Sequence, residues 1–537
     1  MPDAAQAPSP ALARPRPPAL SGVRSWTIRP DGAVLALLAV WSVVPLAILF
    51  GHVGGGLGIG SNGRVFTGAD GPDIADQLQY MAWIRDAGEH VLFSNQYDLK
   101  PDPHLFLNPM FLLSGLAWKL GASLQLSFLA WKPVVVLALF AGFAAYVRRL
   151  VGPGWSRPAA LVLALFFFTP AAWLLDWAGV GSQGLQSGAF VLAVEMFPGS
   201  FVWGLWPLAL SVALMPVFLL CLERALDPAR RGGRPAGWYA AAASAAGLAS
   251  AWLHPWQGLT LLVITAGLVV WGRLWRRAVL LLPVAATAAP LAYYYALTRT
   301  DSAWATVSQP SGNPHVDGWL FAALAPPLLL AAAGFPGRRL DLQERAVRLW
   351  PLAALIVYFV LQRSWFYHAL AGLSLPLAIL GVRGWRRLRA PIPLGVALIV
   401  ALTLPGMAYY IQKLRETASA HFLARGEAAA LRAAGRSPRP GGILTTDALG
   451  AAVPAFSGRS TWVGHFTWTP DHAIRGARAQ ALFAGALAPA DARALVHSTG
   501  AAFALAPFGA PDLRQSLGPT VAATRRFGCA TLYDLAP

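Results

Sequence analysis

The sequence predicts an α-helical membrane protein of many spans, closed at its C-terminal end by a small α/β domain. Three observations predict it. Of 537 residues, 56% are hydrophobic and only 12% are charged, where a soluble domain carries about 25% charged residues. Apolar runs of spanning length recur through the first 411 positions. Arginines gather in every second loop between those runs, the signature of loops that stay in the cytoplasm.

Hydropathy gives about eleven spans, near 32–52, 124–147, 158–175, 203–222, 236–253, 258–274, 278–297, 318–335, 347–362, 366–382 and 391–411. The tail before them, residues 1–31, is rich in Pro and holds Arg14, Arg16, Arg24 and Arg29. The run that follows is about 20 residues long, which suits a spanning helix and not a cleaved signal. The next basic clusters are Arg148/Arg149, Arg224/Arg230/Arg231/Arg234, Arg273/Arg276/Arg277, Arg338/Arg339/Arg345/Arg348 and Arg383/Arg386/Arg387/Arg389. The alternation sets the N-terminus inside and residues 412–537 outside the cytoplasmic membrane. It also accounts for the net charge of +18 without nucleic acid, since no continuous basic face is present. Cys221 and Cys529, the two cysteines, fall on opposite sides in this topology, so no disulfide framework is expected.

The outward loops are then 53–123, 176–202, 254–257, 298–317 and 363–365. The first is the longest. Within it, the apolar stretch 106–121 is too short to span and reads as a surface helix. In the tail, 441–450, 460–468, 501–508 and 528–537 read as strands and 470–486 and 489–500 as helices, each opening on Pro and Asp.

Two acids, Asp73 and Asp76, stand three residues apart just before an aromatic-rich helical stretch, and on a helix they share one face. They serve either as a cap and first-turn charge for that helix or as chemistry at a membrane surface, where recurring polar groups mark function.

The stretch "ADQLQYMAWIRDAGEHVLFSNQYDLKPDPHLFLNPMFLLSGLAWKLG" (75–121) is similar to the first extracytoplasmic loop of the C-type (GT-C) membrane glycosyltransferases, such as the lipid A aminoarabinose transferases and protein O-mannosyltransferases. In those families an Asp-Glu pair opens the loop, an aromatic follows, and a Gly-Asp or Gly-Glu turn precedes a surface helix. Asp76 matches the Asp, Gln77 stands at the Glu, Tyr80 matches the aromatic, and Gly88-Glu89 the turn. The order of parts is also alike, from one span and a long loop through many spans to a tail domain. The resemblance implies a GT-C-like bundle over 32–411 and transfer of a sugar from a polyprenyl-phosphate donor on the outer face. It implies inversion at the anomeric carbon, with a carboxylate as base. Asp76 is the first candidate and Asp73 the second. Either could instead hold a divalent cation, Mg2+ or Mn2+. Glu195, in the Gly/Ser-rich loop 174–204, is a further acid. The acceptor is a lipid, a protein hydroxyl or a cell-envelope glycan.

A lipid phosphate needs cationic or hydrogen-bonding partners. Arg363 departs from the inside bias and suits bidentate phosphate binding. Tyr367 and His368 follow it, and His254 sits at another outer turn. Lys100 and Lys132 are lesser candidates. His465 and His472 lie in an aromatic stretch that reads as the core of the tail domain. The competing readings are a polymerase or ligase of lipid-linked glycans, a transporter and a scaffold. The first usually relies on a large later loop, and the second on charges within the spans. No P-loop, nucleophile elbow or zinc-spaced Cys/His set is present.

Overall fold

The structure is a computed structural model, and it describes residues 30–52, 63–309, 317–337, 340–361 and 364–536. Among them, seven helical runs are long and apolar enough to cross a membrane: Asp31–Gly51, Leu124–Leu150, Trp206–Leu226, Pro255–Gly272, Ala278–Thr300, Phe366–Arg387 and Ile392–His421. An eighth is made if Ser156–Phe166 and Pro170–Ala178, bent by 53°, act as one broken span. The bend falls where Thr169 precedes Pro170 and takes an extended backbone, as the residue before proline prefers.

The remaining expected spans are helical but differ in kind. Ala236–Leu253 draws its apolarity from Ala and Gly. Leu342–Val360 opens with Glu344, Arg345 and Arg348. Of Asp317–Gly334, the described apolar part is Ala322–Gly334.

The helix Trp206–Leu226 separates the two ends of the bundle. At 1.5 Å per residue, Pro207 and Glu223 lie about 24 Å apart along it. At the Glu223 end, Arg149 reaches Glu223 and Asp341 at 2.5 Å each, and Arg383 meets Glu344 at 2.7 Å. Arginines from loops expected on one side therefore share one end. At the Pro207 end lies a cavity.

The first loop builds that cavity. It starts as β1 (Arg64–Phe66), then runs into α2 (Ile74–His90), which follows the first helix α1 (Pro30–His52), and later into α3 (Pro109–Lys119). The surface helix expected over 106–121 is α3. Asn108 starts it by accepting the Met110 N–H at 3.0 Å, with Pro109 in the first turn. α2 and α3 cross at Gly88 and Gly115. A Cβ on Gly88 would lie 2.7 Å from the Gly115 carbonyl, and one on Gly115 would lie 2.6 Å from the Gly88 nitrogen. Gly88-Glu89 is accordingly not a turn. The helix runs on to His90, and the glycine serves the crossing.

Gln77 is fully buried. Its Oε1 accepts the Asp70 N–H at 2.8 Å, and its Nε2 donates to the carbonyls of Gly71 and Trp203 at 3.3 and 3.2 Å. A carboxylate there would face two carbonyl oxygens with no hydrogen to offer. Gln77→Glu is expected to destabilise the protein by about 2–4 kcal/mol, the loss of two buried donors plus a buried charge. Thermal unfolding in detergent measures it, and an unchanged midpoint would show that the loop does not depend on this amide.

After the last span, β2 (Phe422–Ala424) pairs antiparallel with β1 and ties the first loop to the tail. The tail carries a four-stranded sheet of β3 (Ile443–Leu444), β4 (Phe503–Ala506), β5 (Val521–Phe527) and β6 (Ala530–Leu535), in the order β3-β4-β6-β5. β3 and β4 are parallel and the other pairs antiparallel. The helices His472–Phe483 and Pro489–Thr499 pack Leu482 and Leu495 onto it. β5 and the helix Arg425–Gly435 were not foreseen. The stretch 460–468, expected as a strand, pairs only through Thr461 with Ile443. The N–H groups of Gly464 and His465 turn instead to the Thr469 hydroxyl, at 3.3 and 3.2 Å, so a local loop replaces the ladder. The expected boundary at 412 falls inside the helix Ile392–Thr417. The tail 1–29 lies outside the described residues.

Candidate active site

A cavity of about 540 Å³ opens where α2, the end of the helix Gln183–Glu195, the turns at His254 and His368, and the tail loop around His465 meet. Asp73 and Asp76 line it from the start of α2. Asp73 occupies the cap position, yet its side chain makes no cap hydrogen bond. Its accessible surface faces the cavity. Burial, then the charges of Asp76 and Glu195, push its pKa up to about 7, against a smaller opposing effect of His368. An ordinary aspartate is ionised at neutral pH, whereas this one titrates there.

Asp76 is held from the tail. Its Oδ1 lies 3.1 Å from Nε2 of His465, whose side chain is almost fully buried. The other ring nitrogen, Nδ1, accepts the Thr467 N–H at 3.1 Å. In the neutral ring that fixes the hydrogen on Nε2, so His465 donates to Asp76.

Glu195 lines the same cavity from the end of the helix Gln183–Glu195. Its Oε1 lies 2.8 Å from Nδ1 of His368 and accepts the Trp365 indole N–H at 3.1 Å. The His254 ring stands edge-on to His368, with centroids 4.5 Å apart. His254 is hydrogen-bonded to Gln257, whose Nε2 donates to the His368 carbonyl at 2.7 Å. One amide thus couples the two outer turns. Burial and the adjoining His368 push the His254 pKa well down, which favours the neutral imidazole. The remaining walls are aromatic. Trp468 meets Trp83 and Trp304 edge-on, each at 5.2 Å, and Tyr80, Phe106 and Phe466 complete the lining.

Asp73, Asp76, Glu195, His254 and His368 therefore come together from separate stretches of the chain. Tyr367 does not line the cavity. It is buried and stacked on Phe366 at 4.5 Å, because the turn that points His368 outward points its neighbour in. Arg363 lies outside the described residues. Lys132 is corrected from a phosphate ligand to an internal ion pair, 2.6 Å from Asp70 and buried with it. Lys100 is exposed and apart from the lining. His465, placed by the sequence in a domain core, enters the site instead. Its clue was an isolated histidine among aromatics that never settle into strict alternation. His472 pairs with Asp447 at 2.9 Å, away from the cavity lining. The cavity carboxylates offer oxygen ligands suited to Mg2+ or Mn2+. Among the described residues, though, the one group of three with ligand atoms within 4.8 Å of one another is Asp86, His90 and His104, which lies off the cavity lining.

No family model matches the chain, and no curated protein matches it. In structure it is similar to several solved chains. With ArnT from Cupriavidus metallidurans in the apo state it shares 14% identity, over 93% of this chain and 98% of that one, at a TM-score of 0.45. The same protein bound to undecaprenyl phosphate gives 16% and 0.42 over the same shares. With the archaeal oligosaccharyltransferase AglB from Archaeoglobus fulgidus, solved with an inhibitory peptide and a dolichol-phosphate, it shares 12% over 88% of this chain and 69% of that one, at 0.45. With the mycobacterial arabinofuranosyltransferase AftD the figures are 16%, 94%, 42% and 0.46.

Proposed function

We propose that this protein is a membrane glycosyltransferase that moves a sugar from a polyprenyl-phosphate donor to an acceptor hydroxyl at the outer face of the cytoplasmic membrane. The observation that carries the reading is the meeting of three acids and three histidines in one aromatic-walled cavity, at the bundle end opposite the arginine network. The cavity has room for a sugar unit, and Trp and Tyr faces suit its C–H surfaces. Asp76, aimed by His465, takes the proton of the acceptor hydroxyl. The acceptor oxygen forms a bond to the anomeric carbon as the bond from that carbon to the phosphate oxygen breaks. Polyprenyl phosphate leaves with its charge, and attack from the far side inverts the centre. His368 and His254 receive the phosphate, and Arg363, five residues before His368 in sequence, is the further cation proposed for it. Glu195 holds His368 in place. Residues 1–31 lie in the cytoplasm and 412–537 outside, as the arginine alternation supports. The acceptor is a lipid, a protein hydroxyl or a cell-envelope glycan.

The test is transfer of radiolabelled sugar by the purified protein from a panel of polyprenyl-phosphate sugars in liposomes, offered with membrane extracts as acceptor. Label moving to acceptor, with free polyprenyl phosphate formed in step, is the expected result. Label left on every donor in the panel would sink the reading.

The pH profile carries a second expectation. A base must be deprotonated, and Asp73 beside it binds a proton near pH 7. A negative Asp73 makes the carboxylate beside it a stronger proton acceptor, so the rate should rise as Asp73 loses its proton through about pH 7. Asp73→Asn removes the group that takes up this proton, and the rise near pH 7 should then vanish while activity persists. Loss of activity at every pH would instead make Asp73 the base.

A further inference from the structure

We propose that Asp86, His90 and His104 form a binding site for a divalent transition cation of the Zn2+ class, which clamps the strap between α2 and α3. The three ligand atoms lie within 4.8 Å of one another. Nδ1 of His90 is 2.8 Å, and Nε2 of His104 3.2 Å, from Oδ1 of Asp86. Two imidazoles and a carboxylate around Zn2+ at 2.0–2.1 Å would be spaced by about 3.3 Å, the edge of a tetrahedron. Small side-chain adjustments cover the difference.

The chain delivers these ligands by design of its local structure. Asp86 and His90 are one turn apart on α2 and share a face. His104 arrives after the chain reverses, and the reversal is fixed by the reciprocal backbone pair of Phe93 and Phe106 at 2.9 and 3.0 Å. The Asp86 side chain is almost fully buried. Its second oxygen, Oδ2, accepts the backbone N–H and the hydroxyl of Ser94 at 2.9 and 3.3 Å. That partner orients the carboxylate, as outer partners of metal ligands do. Both histidines are partly exposed, at 49% and 38% of their side chains, which gives an ion an entry path and room for water as fourth ligand.

None of the three lines the cavity, but the strap they close does. Phe106 lies two residues beyond His104 and packs against Trp83 at 5.2 Å, and both line the cavity wall. The ion takes the lone pair of one nitrogen on each neutral ring, whose hydrogen then sits on the other nitrogen, so protons compete with it for the site and affinity falls in acid. The site does not depend on the proposed transfer reaction.

The full chain in detergent, stripped with chelator, is titrated with Zn2+ against a chromophoric competitor. A parallel sample takes Co2+ and is read by its visible absorption. One ion per chain is expected, with a tetrahedral Co2+ spectrum and a thermal midpoint that rises on binding. His90→Gln/His104→Gln, at half-exposed positions, should weaken Zn2+ at least tenfold and abolish the midpoint shift. A cavity variant, His254→Gln/His465→Gln, should leave both intact. Failure of the wild type to bind, or equal binding by the His90/His104 variant, overturns the site and leaves the histidines as simple partners of a buried carboxylate. Loss confined to the cavity variant overturns it too, and places the ion in the cavity.

Discussion

Asp76→Asn is expected to slow sugar transfer by a factor of about 10²–10⁴, the contribution of a positioned general base, with the protein still folded. The variant is nearly isosteric. The hydrogen that His465 offers sits on Nε2, because Nδ1 is taken by the Thr467 N–H, and an Asn Oδ1 can still accept it. The Asp76 side chain is 32% exposed, so no buried charge is removed. What disappears is the basic lone pair. Initial rates from a labelled donor, beside size-exclusion profiles and thermal midpoints, separate catalysis from folding. Transfer at the wild-type rate would remove Asp76 from the chemistry and leave Asp73 and Glu195 as the acids to examine.

A second large effect is one of stability. Lys132→Met is expected to cost about 3–5 kcal/mol, the usual result of leaving one partner of a buried ion pair alone. Lys132 Nζ is 2.6 Å from Asp70 and donates to the carbonyls of Ser42 and Val202 at 2.5 and 3.0 Å. One ammonium thereby fastens α1, the start of the first loop and the turn before Trp206. Asp70 is fully buried and has no route to water once that ammonium is gone. The double change Asp70→Asn/Lys132→Met should recover much of the loss, since it removes both charges together. Thermal unfolding in detergent compares the three proteins. A single variant as stable as the wild type would mean that Asp70 takes up a proton at little cost.

The arginine pattern made the architecture legible because it is a property of loops and needs no tertiary knowledge. It assigned Asp73, Asp76, Glu195, His254 and His368 to one side, and they share one cavity. It could not say which side chains turn inward after that. His368 and Tyr367 are neighbours in one short turn and point opposite ways. Lys132, inside the expected span 124–147, reads as a lesser phosphate candidate in sequence, and Gln77 stands where the resemblance has an acid. Their partners, Asp70 for one and the Trp203 carbonyl for the other, are 62 and 126 residues away, and no local pattern reports such pairs. The same holds for His465, whose role depends on Asp76 389 residues earlier. The strand expected over 460–468 failed for a related reason. Thr469 satisfies the backbone there, and a hydroxyl that takes two N–H groups is not visible as periodicity.

The β1–β2 ribbon has a consequence for how the molecule is made. It joins residues 64–66 to 422–424, and the donor to Asp76 arrives later still, at His465. Chains grow from the N-terminus at about 5–20 residues per second, so the first loop waits some tens of seconds for its partners. Through that interval every helix of the bundle can insert while the cavity stays open on one side. A chain cut short before the tail would hold the acids but not the histidine that aims one of them. Biosynthesis thus carries its own safeguard, since competence arrives only with the last quarter of the polypeptide.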